Sequence, residues 1–218
     1  MAYERAPYEY TDDGEIVPRP PIVWQKDPKI EHKQYCLCGD LTFGQAGCLV
    51  CCTYAIARFA GYKGELTKFA HKIDVAGAFR GGLLSNPAAV SAVVPEMKWH
   101  TRPKYAGRYG SFIDWHKKPA ELEVLASVLE DRPVIIEVDF RPQTFQVEQH
   151  FVVAYRYVPF ASERGIEDDL RVMDPWTGTY TSLLTYFNPQ WLYDGSMGSN
   201  VTKVQRAIQG LRVWEVLE

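Results

Sequence analysis

Apolar and polar positions divide the chain into two halves of different period. From Gly47 the run C-L-V-C-C-T-Y-A-I-A-R-F-A reaches Gly61 without a proline, and its apolar residues surround the helix instead of keeping to one stripe. That pattern predicts a buried helix ended by glycine. Shorter helices are predicted at about Glu65 to Ile73, Asn86 to Val94 and Pro119 to Glu130, the last opening on a first-turn proline followed by acidic residues. Beyond them the period changes: P-V-I-I-E-V-D-F from Pro133, H-F-V-V-A-Y-R-Y-V from His150, L-R-V-M-D from Leu170, T-Y-T-S-L from Thr179 and L-R-V-W-E-V from Leu211 are β-rich runs. Helices first and strands later favour an α+β domain with an antiparallel sheet over an alternating βαβ plan.

The first 33 residues carry Pro7, Pro18, Pro20, Pro21 and Pro28 and keep neither period, so residues 1–33 read as an extended arm and 34–218 as one domain. Tyr3, Tyr8, Tyr10, Ile16, Val23 and Trp24 offer anchors by which the arm could wrap its own domain or assemble with another subunit, alike or different; a loosely packed surface tail is the alternative. Aromatic residues make up 13% of the chain, enough to exclude wholesale disorder. A net charge of −3 with mixed signs supplies no basic stripe for nucleic acid and no polybasic patch for a membrane. Met1 to Arg19 lacks a signal-peptide core and no run reaches the roughly 18 apolar residues of a span, so a soluble product of the cytoplasm is expected. Cys36, Cys38, Cys48, Cys51 and Cys52 are odd in number and crowd one segment, which suits thiols in a reducing compartment better than a disulfide framework.

Gly47-Cys48 stands where the chain enters the buried helix. A thiol there feels unpaired backbone N–H groups and the positive end of the helix dipole, which favour thiolate and can also donate to an oxyanion. The bland reading is a small buried hydrophobe. His150 begins one strand and Asp174 ends another before Pro175. If the two runs pair antiparallel across the loop between them, histidine and carboxylate fall near the same end of the sheet, where the carboxylate would orient the imidazole to take a proton from sulfur. A strand-capping histidine and an Asp-Pro turn are the plain alternatives.

T-F-G-Q-A-G-C-L-V-C-C-T-Y-A-I-A-R-F-A-G at Thr42 to Gly61, Q-H-F-V-V-A-Y at Gln149 to Tyr155 and V-M-D-P-W-T-G at Val172 to Gly178 resemble the bacteriocin-processing, double-glycine-peptidase-like branch of the papain-like cysteine peptidases. The resemblance runs from about residue 40 to the end, and the ending A-I-Q-G-L-R-V-W is similar to the closing strand of phage and bacterial relatives. It implies a papain-like fold, with Cys48 as nucleophile, His150 as general base and Asp174 as its orienter. It implies hydrolysis of a peptide, protein or peptidoglycan-peptide amide without a cofactor, and admits a product carried in a virion. Cys51 or Cys52 stands where relatives usually carry Ser or Thr. The oxyanion-stabilising glutamine is commonly farther upstream than Gln45, which lies three positions before Cys48 and is a candidate contributor; Gln34 is remote.

Trp99, His100, Tyr105, Tyr109, Trp115 and His116 fall in a loop-rich section that could border a cleft, but neither of these histidines begins an apolar strand or has an Asp-Pro-Trp companion. Trp176 is placed to shield the His–Asp pair from water, or to pack as an ordinary turn residue. Two rivals stay open. C-x-C-x9-C-x2-C-C offers thiolates for a structural zinc, though that leaves the histidine strand and Asp-Pro-Trp segment unexplained. A noncatalytic papain-like module, retained for assembly, fits the arm.

Overall fold

A computed structural model describes residues 8–10, 16–37, 39–99, 112–114, 120–130, 132–139, 149–159, 168–186, 205 and 207–217. Cys38, His100, Tyr105, Tyr109, Trp115 and His116 lie outside them, as does Tyr3. In chain order the elements are β1 (Tyr8–Tyr10), β2 (Ile16–Pro18), α1 (Phe43–Ala46), α2 (Cys48–Phe59), α3 (Leu66–Val75), β3 (Phe79–Arg80), β4 (Leu83–Leu84), α4 (Ala88–Val93), β5 (Met97–Lys98), β6 (Phe112–Asp114), α5 (Leu122–Leu129), β7 (Val134–Asp139), β8 (Gln149–Val158), β9 (Asp169–Asp174), β10 (Thr179–Ser182), α6 (Leu183–Tyr186), β11 (Ile208–Arg212) and β12 (Glu215–Val216).

The expected combination of helices with an antiparallel sheet is present, but the two are less segregated along the chain than expected: β1 and β2 precede the first helix, β3 to β6 lie before α5, and α6 follows β10. Six strands form the main sheet in the order β10-β9-β8-β7-β11-β6, every neighbouring pair antiparallel. Alternation along β7 and β8 sends Ile135, Phe151 and Val153 into a core with Cys52, Ile56 and Phe69. Val134, Ile136, Val138, Val152 and Ala154 go into a second core with Leu125 and Leu129 of α5. Helices therefore cover both faces, and a strand buried on both faces needs an unbroken apolar run such as F-V-V-A-Y. Each fully buried Val, Ile or Phe here contributes about 1.5–3 kcal/mol relative to an exposed one.

Helix α2 is the hub of the first core. Val50 to Ala57 are all buried, which is why its sequence is apolar all round. It ends in a Schellman motif: the Tyr62 N–H donates to the Ala57 carbonyl at 2.8 Å and the Gly61 N–H to that of Arg58 at 3.1 Å, with Gly61 at φ 95°. The last predicted helix differs at its start. It begins at Leu122, with Glu121 as N-cap, so the acidic residue in its first turn is Glu123.

The leading segment packs on the domain. β1 pairs with β2, Val23 is buried in the same core as α2, and the Tyr180 hydroxyl donates to the Pro20 carbonyl at 2.6 Å. A bridge between Gln34 and Thr42 sets the chain on its way into α1. Among the described residues no helix is long and apolar enough to cross a membrane.

Candidate active site

Cys48 is the first residue of α2, so its sulfur stands at the end of the helix where the backbone N–H groups have no intrahelical acceptor. The short helix α1 meets α2 there. The Gly47 N–H donates to the Phe43 carbonyl at 2.9 Å, and a Cβ on Gly47 would lie 2.6 Å from that oxygen and 2.7 Å from the Phe43 Cα. Glycine is thus required by the α1–α2 junction itself, before any substrate is considered. Cys48 is half-buried, whereas Cys36, Cys51 and Cys52 are buried. Burial, with the Cys48 charge beside them, pushes the Cys51 and Cys52 thiols well above the ordinary range and keeps them protonated. The Cys52 thiol donates to the Phe151 carbonyl at 3.2 Å and so ties α2, one turn beyond Cys48, to the residue after His150.

The strand register brings the other two residues together. Val153 faces Met173 and Ala154 faces Val172 across β8 and β9, a register that carries Asp174 at the end of β9 to the start of β8, where His150 stands. His150 Nε2 is 2.8 Å from Asp174 Oδ1, and both side chains are buried. The Cys48 thiol is the other hydrogen-bonding neighbour of the imidazole, which leaves Nδ1 for the sulfur. Burial works against a charged imidazole, but the hydrogen bonds to Asp174 and Cys48 and their negative charges outweigh it and raise His150 from 6.5 to about 9. The imidazolium is therefore the form held at neutral pH.

Asp174 is a node. It also accepts the Trp176 N–H on Oδ1 at 2.9 Å and the Thr177 hydroxyl on Oδ2 at 3.1 Å, and its carbonyl accepts the Gly178 N–H at 2.9 Å. Gly178 turns the chain at φ 66°, and a Cβ there would meet Trp24 Cγ at 2.6 Å. The turn lays Trp176 edge-on to His150, ring centroids 6.5 Å apart at 86°, where the half-exposed indole shields one side of the His–Asp pair.

Gln45 sits on the exposed surface of α1, and its Oε1 accepts the Thr42 N–H at 3.0 Å, a capping role within its own helix. A different glutamine is built into the centre. Gln25 is buried; its backbone N–H donates to the Pro175 carbonyl at 2.8 Å and its Nε2 to the Phe43 carbonyl at 3.3 Å. It thereby joins the turn after Asp174 to the residues leading into Cys48. The only sequence signal for it is a polar residue beside apolar Val23 and Trp24.

On the sheet face toward α2, Glu137 and Arg212 form a buried ion pair at 3.1 Å, with the guanidinium 4.4 Å over the Phe151 ring. Trp99 packs on Trp214 with centroids 4.8 Å apart. Among the described residues no group of three or more His, Cys, Asp or Glu side chains is disposed to hold a metal ion.

Neither a curated protein nor a solved structure matches the chain. The family model described as the Peptidase_C39 like family matches residues 20–199, a span that holds Gln25, Cys48, His150, Asp174 and Trp176. A thiol at the head of the central helix, a histidine strand and an Asp-Pro-Trp turn thus occur within one matched region, and the chain belongs to the Peptidase_C39 like family of papain-like cysteine peptidases.

Proposed function

We propose that the chain is a papain-like thiol hydrolase that cleaves peptide or amide bonds with Cys48, His150 and Asp174. The observation that carries this reading is the hydrogen-bonded sequence from sulfur to imidazole to carboxylate, 2.8 Å at its second link, set at the start of α2. Cys48 and His150 act as a thiolate–imidazolium pair in which the proton of the sulfur already rests on His150 Nδ1; the sulfur attacks the carbonyl carbon, while helix-start N–H groups donate to the oxyanion. The C–N bond breaks as His150 returns that proton to the leaving amine, giving a thioester. His150 then deprotonates a water molecule, whose oxygen adds to the carbonyl carbon; the C–S bond breaks and the acid is released. Asp174 acts through His150 by fixing which nitrogen faces the sulfur. Peptide, protein and peptidoglycan-peptide amides are the substrates to screen.

The test is labelling by a peptide-like thiol electrophile, with the modified residue mapped by mass spectrometry across pH in the wild type and in His150→Ala. Rapid labelling confined to Cys48, and slowed at least tenfold by the histidine change, is the expected result. Slow labelling spread over several thiols and indifferent to His150 would refute catalysis and favour a retained but inactive module.

A further inference from the structure

The leading segment brings a cation to the wall of this site. Lys26 follows Gln25, whose backbone N–H is held by the Pro175 carbonyl at 2.8 Å, so the lysine rises beside the turn that carries Trp176. Its Nζ lies 4.0 Å from the centroid of the Trp176 ring, and the same ring meets His150 edge-on at 6.5 Å. The lysine is half-buried. Among the described residues no carboxylate pairs with it. Asp27, its neighbour in sequence, directs Oδ1 to the Lys29 N–H at 2.9 Å. A cation stacked on an aromatic face is held in place by the ring quadrupole, and its outward side keeps its charge for another partner.

The side of the cleft on which this cation stands follows from the chemistry. His150 hands its proton to the departing amine, so the leaving fragment passes along the His150 side, where Trp176 is the adjacent wall. We infer that Lys26 is a specificity-determining residue of the leaving-group subsite, and that the fragment released carries a carboxylate close to its new amino terminus, as a free α-carboxylate or an acidic side chain. The inference rests on the hydrolase reading and adds to it the charge of the product. A partly exposed ion pair contributes about 0.2–1 kcal/mol, which corresponds to a preference of up to about fivefold.

The thioester step tests this without knowledge of the natural substrate, because an amine that intercepts the acyl-enzyme occupies the leaving-group position in reverse. p-Nitrophenyl acetate transfers its acetyl group to Cys48 with release of p-nitrophenolate. An acceptor amine then adds to the thioester carbon, its proton passes to His150, and the C–S bond breaks to give the acetylated amine. Three acceptors at equal concentration would be compared with hydrolysis as the competing path: glycylglycine amide, which has no carboxylate, glycylglycine, which has an α-carboxylate, and the α-amide of glycylglutamic acid, whose only carboxylate is on the side chain. At low salt the wild type should favour at least one carboxylate-bearing acceptor over glycylglycine amide by about two- to fivefold. The better of the two identifies the source of the carboxylate. The preference should fade in about 0.5 M salt, survive in Lys26→Arg and fall to about one in Lys26→Gln. Equal use of all three acceptors by the wild type would overturn the inference, as would a wild-type preference in Lys26→Gln, and the wild-type comparison decides even if that variant does not fold. Failure of Cys48 to take up the acetyl group is a separate result, which removes the hydrolase reading itself.

Discussion

Asp174→Asn removes one negative charge while keeping the shape of the side chain. The carboxylate is fully buried and accepts from His150 Nε2 at 2.8 Å, the Trp176 N–H at 2.9 Å and the Thr177 hydroxyl at 3.1 Å. An asparagine oxygen in the Oδ1 place keeps the first two. Its NH2 then faces Thr177, whose hydroxyl can accept that bond and donate instead to Thr179 Oγ1, 2.8 Å away. The turn survives, but the charge that opposes burial at His150 does not. His150 is held at about 9 against 6.5 for a free imidazole, and at about 1.4 kcal/mol per unit that shift corresponds to about 3 kcal/mol of preference for imidazolium in the folded protein. With Asp174 neutral, burial is opposed only by Cys48, and the histidine titrates lower.

The sign of the pH effect follows from linkage. A group raised in the folded state contributes stability that is fully present below its unfolded value and lost as pH rises through its folded value. In the wild type the His150 contribution is therefore present below about 6.5 and disappears by about 9. The slope over that window reaches about −1.4 kcal/mol per pH unit. The buried Cys51 and Cys52 thiols, also raised, add a loss of the same sign at alkaline pH, and because the Asp174 charge is one of the causes that raise Cys52, the interval from pH 6 to 8, below the ordinary thiol range, is where the difference between the proteins reports the histidine. Urea unfolding at pH 6, 7, 8 and 9 measures it. Asp174→Asn should be less stable at pH 6 by about 2–3 kcal/mol, and the gap should narrow steadily toward pH 9. A gap independent of pH would refute the claim that Asp174 holds His150 charged.

Two further changes test the surroundings of the site. Gly178→Ala places a Cβ at φ 66° against Trp24, so thermal unfolding should show a loss of about 1–3 kcal/mol, with Cys48 labelling slowed because the turn also holds Asp174; unchanged stability would mean the turn does not need its positive φ. Arg212→Met leaves the buried Glu137 carboxylate without its guanidinium partner at 3.1 Å and should cost about 3–5 kcal/mol in urea unfolding. Adding Glu137→Gln to Arg212→Met should restore part of that, and strict additivity of the two changes would refute a direct pairing.

The parts of this structure that local pattern determines were legible in the sequence. Glycine at both ends, an apolar girdle and no proline define α2 to within two residues, because a helix buried all round needs those features and little else. The meeting of His150 with Asp174 was legible too, since one antiparallel pairing of two apolar runs brings their ends together. What escaped was long-range. Gln25 looks like any polar residue in a proline-rich arm; its burial comes from the carbonyls of Phe43 and Pro175, which sequence proximity does not suggest. Glu137 gives no local sign of its partner: it is buried beside Phe151 and pairs with Arg212, which arrives from β11. Gln45, the candidate contributor three positions before Cys48, lies on the exposed surface of α1 with its oxygen engaged in capping that helix, a role its position alone does not announce. The placement of β11 between β7 and β6 has no local signal, because strand order is settled by how the whole chain closes.

The attachment of residues 20–27 also bears on how such a protein can be controlled or redesigned. Val23 fills the core, Gln25 clasps two carbonyls and Trp24 lies over Gly178, so a protease that clipped this segment would take a wall of the cleft with it. The same attachment leaves the side chain at position 26 outside the backbone bonds that hold the segment, so that position can be exchanged, and the taste of the cleft altered, without dismantling the frame on which it is mounted.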